Sequence, residues 1–190
     1  MKLTNTELRH RALSSLRGNW VNVILAFIIF WMLNGVGAPA IIILGGPLTL
    51  GISSFSLAVA RNQKVEIEQI FSGFNNFANS LVAYLLMAIF VFLWSLLLII
   101  PGIIKAIAYS QTFFIMSDDS TISGMDAIDK SMAMMNGYKM RYFLLSLLFG
   151  LLIVLSGLLL FIPLFWLVPY MYVTFANFYE ELKMNQAQIA

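Results

Sequence analysis

Few residues in this chain are of types that could do chemistry. Asp118 and Asp119 stand together in SDDSTISGMDAID, with Asp126 and Asp129 close behind. Carboxylates so spaced are the raw material of an acid–base pair or a hard-cation site. Nothing supports them in that role. The single histidine, His10, lies far away, and there is no cysteine, which excludes thiol nucleophiles, disulfides and Cys-based metal sites. Helix capping and loop solubility account for the four acids, and Glu180-Glu181 reads as a solvated helix end. Ser53, Ser54 and Ser56 have no base or acid in their segment. Hydroxyls in apolar helices more often pack helices together or bond their own backbone. The expectation is a protein with no catalytic residue, no metal and no cofactor: not an enzyme.

Lys105 is the strongest functional candidate. It follows Pro101-Gly102 inside the apolar run LWSLLLIIPGIIKAIAYSQTFFIM (93–116). An ionisable group at the centre of a membrane helix costs about 2.5–3.5 kcal/mol, so it is usually paired, hydrated or functional. Two readings stand together. Its stem reaches the outer interface and snorkels, or its ammonium faces a polar cavity with Tyr109, Thr174 and Asn177 as ligand-binding residues.

The elements that must position these residues are greasy. Of 190 residues 61% are hydrophobic and 11% charged, with a mean hydropathy of +0.88. Soluble domains carry about 25% charged residues, and the apolar content here is gathered in runs near the ~20 residues that cross a bilayer. The first twenty residues are too polar for a cleavable signal. A net charge of +2 gives no argument for nucleic acid. Residues 4–17 read as an amphipathic helix with a Thr4/Glu7 capping box and a stripe of Leu8, Ala12, Leu16 and Trp20. Its arginines suit the headgroup region.

A first span runs from Trp20 to Leu33, with a turn at 34–39. The second (40–60) holds Gly45-Gly46-Pro47 and is expected to break there. A short amphipathic helix follows, carrying Ile67, Ile70, Phe71 and Phe74 and ending near Gly73. The third span is 78–100, the fourth follows the Pro101-Gly102 break, and another amphipathic helix starts at a Ser123/Asp126 capping box with Ile128, Met132 and Met135 as its stripe. Pro163 and Pro169 divide 141–179 into two more spans. Pro47, Pro101, Gly102, Pro163 and Pro169 are thus the expected helix-breaking positions.

The order polar helix, glycine, span, proline, span recurs three times (about 4–60, 61–116 and 117–182), with Gly18, Gly73 and Gly137 at the same place in each. Nearly all Lys and Arg lie in the terminal segments and the two polar loops: Lys2, Arg9, Arg11, Arg17, Arg61, Lys64, Lys130, Lys139, Arg141 and Lys183. The positive-inside rule puts these on the cytoplasmic side, both termini included. The expected fold is all-α: one membrane domain, 1–190, of six transmembrane helices in three proline-broken hairpins, plus short cytoplasmic amphipathic helices.

IIPGIIKAIAYSQTFFIMSDD (99–119), SMAMMNGYKMRYF (131–143) and PYMYVTFANFYEEL (169–182), with GNW at 18–20, GGPLTLG at 45–51 and FSGF at 71–74, carry a resemblance. The chain resembles domain-of-unknown-function family nine-seven-five, bacterial membrane proteins common in Gram-positive species. That family is similar to the membrane portion of some glycerophosphodiester phosphodiesterases. The resemblance implies a multi-span protein of the bacterial cytoplasmic membrane and implies no reaction.

The functional expectation is a small transport-like or ligand- or lipid-binding membrane module. The alternative is an interaction or immunity protein that protects against a peptide toxin or docks a cytoplasmic partner. Expected partners are the lipid bilayer, a small-molecule, lipid or peptide ligand, and a second copy in a homo-oligomer. A vitamin-binding subunit of an energy-coupling transporter fits by length but not by motif.

Overall fold

The computed structural model describes residues 3–35 and 38–187. Residues 36 and 37 of the expected 34–39 turn, and Lys2, lie outside the described residues. The described chain is helical: α1 (Asn5–Leu16), α2 (Trp20–Asn34), α3 (Ala38–Ala60), a 3-10 helix (Ile67–Asn76), α4 (Phe77–Leu97), α5 (Ile99–Tyr109), α6 (Thr112–Asp118), α7 (Gly124–Met134), α8 (Lys139–Gly157) and α9 (Leu164–Ala187).

Helix α3 is the hub, packing on α1, α2, the 3-10 helix, α4, α6 and α9. Its glycines allow the approach. A methyl on Gly46 would overlap the carbonyl of Ser80, and one on Gly51 that of Ile70. From the other side, a methyl on Gly73 would overlap the carbonyl of Pro47. This contact corrects two expectations. The 3-10 helix does not end at Gly73 but runs on to Asn76, with the glycine as its point of closest approach. Pro47 does not break the second segment either, because α3 continues through it for 23 residues. A proline inside an apolar helix is tolerated where neighbouring elements cover the gap in its hydrogen bonding.

Pro169 likewise lies inside α9. The other expected break-points sit at helix starts. Leu98 adopts extended backbone between α4 and α5, so Pro101 falls in the first turn of α5, where its missing N–H costs nothing. Gly102 closes that hairpin against Ser95. Pro163 ends the turn before α9, in which Leu160 and Phe161 hold positive φ of 53° and 62°.

Helix α1 is also corrected. Its capping box forms as expected, Thr4 Oγ1 accepting from the Glu7 N–H while the Glu7 carboxylate accepts from the Thr4 N–H. Its stripe, however, does not rest in a headgroup layer. Leu8, Ala12 and Leu16 are fully buried against α9 and α3, while His10 stays exposed.

Among the described residues, four segments are long and apolar enough to cross a membrane: 41–60, 67–96, 99–118 and 139–157. The pair α1–α2, bent by 99°, makes a fifth if taken as one span. Large apolar side chains stand bare at the far ends of these helices, among them Ile99 (75% exposed), Val154 (72%) and Leu158 (81%). Water-soluble surfaces rarely leave such a patch uncovered.

Candidate functional site

Helix α5 carries Lys105 and Tyr109, and packs chiefly on α4, α7 and α8. The Lys105 ammonium lies 3.9 Å from Met132 Sδ, 5.0 Å from the Trp94 ring centre and 6.0 Å from that of Tyr109. The cation thus rests against two aromatic faces and a thioether on α4, α5 and α7. Tyr109 is buried beside Ala108 and Ile128.

Thr174 and Asn177 are elsewhere. Both are buried on α9, and each spends its polar group on its own helix. Thr174 Oγ1 donates to Tyr170 O at 2.7 Å, and Asn177 Nδ2 to Val173 O at 2.9 Å. Asn177's neighbours on α9 belong to a different apolar cluster from Tyr109. Tyr109 on α5 and the pair on α9 therefore lie in different parts of the helix packing. A hydroxyl or amide one turn past a carbonyl satisfies itself locally, and periodicity alone does not reveal that.

What the helices do bring together is charge. Arg61, just beyond α3, donates to Asp118 at 2.7 Å and to Glu180 at 2.5 Å. Lys183 Nζ and Tyr179 Oη reach the other Asp118 oxygen at 2.6 and 2.9 Å. Burial pulls the Arg61 pKa down, but Glu180 and Asp118 outweigh it and the guanidinium is held above its ordinary value. Beside this cluster, Arg141 at the start of α8 donates to both oxygens of Glu181. Glu181 is only 1% exposed.

These contacts overturn two expectations. Glu180-Glu181 is no solvated helix end, since both carboxylates are ion-paired. Asp118 is no loop solubiliser. Asp119 and Asp126 do act locally, Asp119 accepting from Thr121 and Asp126 from Ser123. The charged ends of α3, α6, α8 and α9 meet at one end of the molecule.

Next to Arg61 lies a crevice of about 370 Å³ between α3, the 3-10 helix and α6, lined by Ser54, Ser72, Asn75, Asn76, Ser117 and Ser120 over a floor of Leu50 and Met116. A second hollow of about 220 Å³ shares Ser54, Ser72 and Ser117 and reaches Arg61, Gln63 and Gln69. Gln69 Oε1 is buried with no hydrogen-bond partner among the described residues. Such an acceptor costs about 1–3 kcal/mol until something donates to it. This site was scarcely visible in the sequence, because its hydroxyls and amides are scattered over three segments. The serines of α3 carried the only signal.

The family described as "Protein of unknown function (DUF975)" matches residues 1–108 and again residues 96–186. The chain belongs to the DUF975 family. No curated protein and no solved structure matches it. In this DUF975 protein a second buried polar junction also escaped the sequence. Gln111, fully buried between α5 and α6, donates its N–H to Ser131 Oγ, which donates to Ala108 O. Among the described residues the Gln111 Oε1 has no partner. The bonds to α7 tie that helix to the bend between α5 and α6.

Proposed function

We infer that this DUF975 protein is a non-enzymatic, membrane-integral module that binds a small polar molecule in the crevice of α3, the 3-10 helix and α6. The polar crevice lined by Ser54, Ser72 and Ser117 carries the reading. Its walls offer hydroxyls and amides, while Arg61 is already matched by Asp118 and Glu180. A neutral or zwitterionic solute suits it better than a bare anion.

The membrane placement proposed here is three hairpins, α2–α3, α4 with α5–α6, and α8–α9, with the charged cluster on the cytoplasmic side of a bacterial membrane. The exposed apolar far ends and the meeting of charged helix ends support it. We read α1–α3, the 3-10 helix to α6, and α7–α9 as three versions of one unit. Supporting that, Gly18 and Gly137 hold φ of 85° and 80° at matching junctions before α2 and α8.

Cysteines introduced singly at Ser54, Ser72, Ser117, Thr174 and Asn177 test the reading with a membrane-impermeant thiol reagent, free of native background because the chain has no cysteine. Labelling of the first three from the cytoplasmic face only, with Thr174 and Asn177 silent, is expected. Silence at all crevice positions would sink it.

A docking role draws support from the 3-10 helix alone. Its three-residue turn sets Phe71 and Phe74 in a half-exposed row that Phe77, the first residue of α4, continues. Labelling at Phe74→Cys together with silence throughout the crevice would favour that second reading.

A further inference from the structure

A second recess, remote from the crevice, lies between α5 and α8. It measures about 470 Å³ and is walled by Ile100, Ile103, Ile104 and Ile107 on one side and Met140 and Phe143 on the other, with Lys139 completing the wall. No polar surface faces into it. Five of its apolar residues are more than a third exposed, so it is an open groove on the outside of the helices. Water would leave it dry and an alkyl chain would fill it.

The charge at its edge narrows the occupant. Lys139 is the first residue of α8, and no side-chain hydrogen bond caps that helix start, so the positive end of the helix adds to the ammonium. The adjacent Arg141 is spent on Glu181 and Asn5, whereas Lys139 has no ion pair among the described residues. An apolar trough with a free cation at one end matches an amphiphile with a chain and an anionic head. Basic pockets between membrane helices at the cytoplasmic side hold acidic lipid headgroups for the same reason.

The geometry points to a binding site for one anionic glycerophospholipid of the bilayer, an acyl chain lying along the four isoleucines of α5 and the phosphate meeting Lys139. This inference rests on the membrane placement proposed above but not on the polar crevice. A neutral lipid would fill the trough and leave Lys139 unanswered. A second copy of the chain would cover the isoleucines and exclude the lipid.

The test uses the full chain in detergent, after confirming that alkaline carbonate does not strip it from membranes. Native mass spectrometry then counts adducts with added phosphatidylglycerol and, separately, phosphatidylcholine, for the wild type and for Lys139→Gln, Lys139→Arg and Ile104→Trp. The expected result is a severalfold excess of phosphatidylglycerol adduct, kept by Lys139→Arg, abolished by Lys139→Gln, with Ile104→Trp losing both lipids. Equal retention of the two lipids, or a preference untouched in Lys139→Gln, overturns the site. A dimer that Ile104→Trp dissociates overturns it in favour of self-association. Stripping by carbonate would instead remove the membrane placement and this site with it, while leaving the crevice labelling to be judged in isolated protein.

Discussion

Arg141 donates two parallel hydrogen bonds to Glu181, 2.7 Å to one carboxylate oxygen and 2.6 Å to the other, across 40 residues of chain. The Glu181 side chain is 2% exposed and that of Arg141 19%. The same carboxylate accepts the Leu3 N–H, and the Arg141 guanidinium and carbonyl hold Asn5. One buried pair therefore joins α8, α9 and the segment leading into α1. Fork-to-fork geometry of this kind fixes orientation as well as energy.

Removing one member should be far worse than removing both. Glu181→Gln leaves a guanidinium without its counter-charge, a loss on the order of 3–5 kcal/mol for a buried pair. A double replacement, Arg141→Met with Glu181→Met, should recover most of that loss. Apparent melting temperature in detergent measures it. A single variant no less stable than the double would show that the pair is not holding the helices.

Alanine substitutions at three glycines should separate by sign. Gly51→Ala drives a methyl into the Ile70 carbonyl, and overpacking against backbone costs about 1–3 kcal/mol or more. Gly18→Ala meets open space but sits at φ 85°, a strain of about 1–2 kcal/mol. Gly150→Ala, helical with nothing within 4 Å, should stabilise by about 0.5–1 kcal/mol. Thermal melts of the three variants must fall in that order.

Acid should loosen the start of α1. Hydrogen bonds from the Thr4 backbone and hydroxyl hold the Glu7 carboxyl below its ordinary 4.5. A carboxylate depressed in the folded state contributes stability that is present above the unfolded value and lost as pH falls through the lowered one. Amide exchange at residues 5–8 should therefore accelerate below about pH 4 relative to the rest of α1. In Glu7→Gln the pH dependence should vanish. An unchanged acid response in that variant would assign the effect to another group.

Lys105 should prove a packing cation. Its contacts with Trp94 and Tyr109 are worth about 0.5–1 kcal/mol as a cation over aromatic faces, so Lys105→Met should cost no more than that. Thiol labelling at Ser54→Cys in the Lys105→Met background should match that in the wild-type background. A labelling pattern that changes with Lys105 would return it to the ligand-binding set.

The fold was legible where the signal was local. The Thr4/Glu7 box and the Ser123 cap fix helix starts within three residues of chain, and the apolar runs mark the long helices. Pro47 and Pro169 misled because a proline's cost depends on what packs around the helix, and the elements packed on α3 and α9 come from elsewhere in the chain. Glu181 misled for the same reason at greater range. A carboxylate at the end of an apolar run looks solvated until Arg141, far away in sequence, is folded against it. Thr174 and Asn177 looked like a polar face because spacing shows direction and not hydrogen-bond partners. The crevice was hidden because Ser54, Ser72 and Ser117 become neighbours only once α3, the 3-10 helix and α6 have packed.

The bond from the Leu3 N–H to Glu181 joins residues 178 apart in sequence, and α9 supplies most of the surface that α1 packs on. At ~5–20 residues per second of synthesis, α1 leaves the ribosome roughly ten to thirty-five seconds before its partner exists. Through that interval Leu8, Ala12 and Leu16 have no α9 to cover them. Helix α1 is made well before it can be seated, and its docking reports that the chain as far as α9 has been assembled.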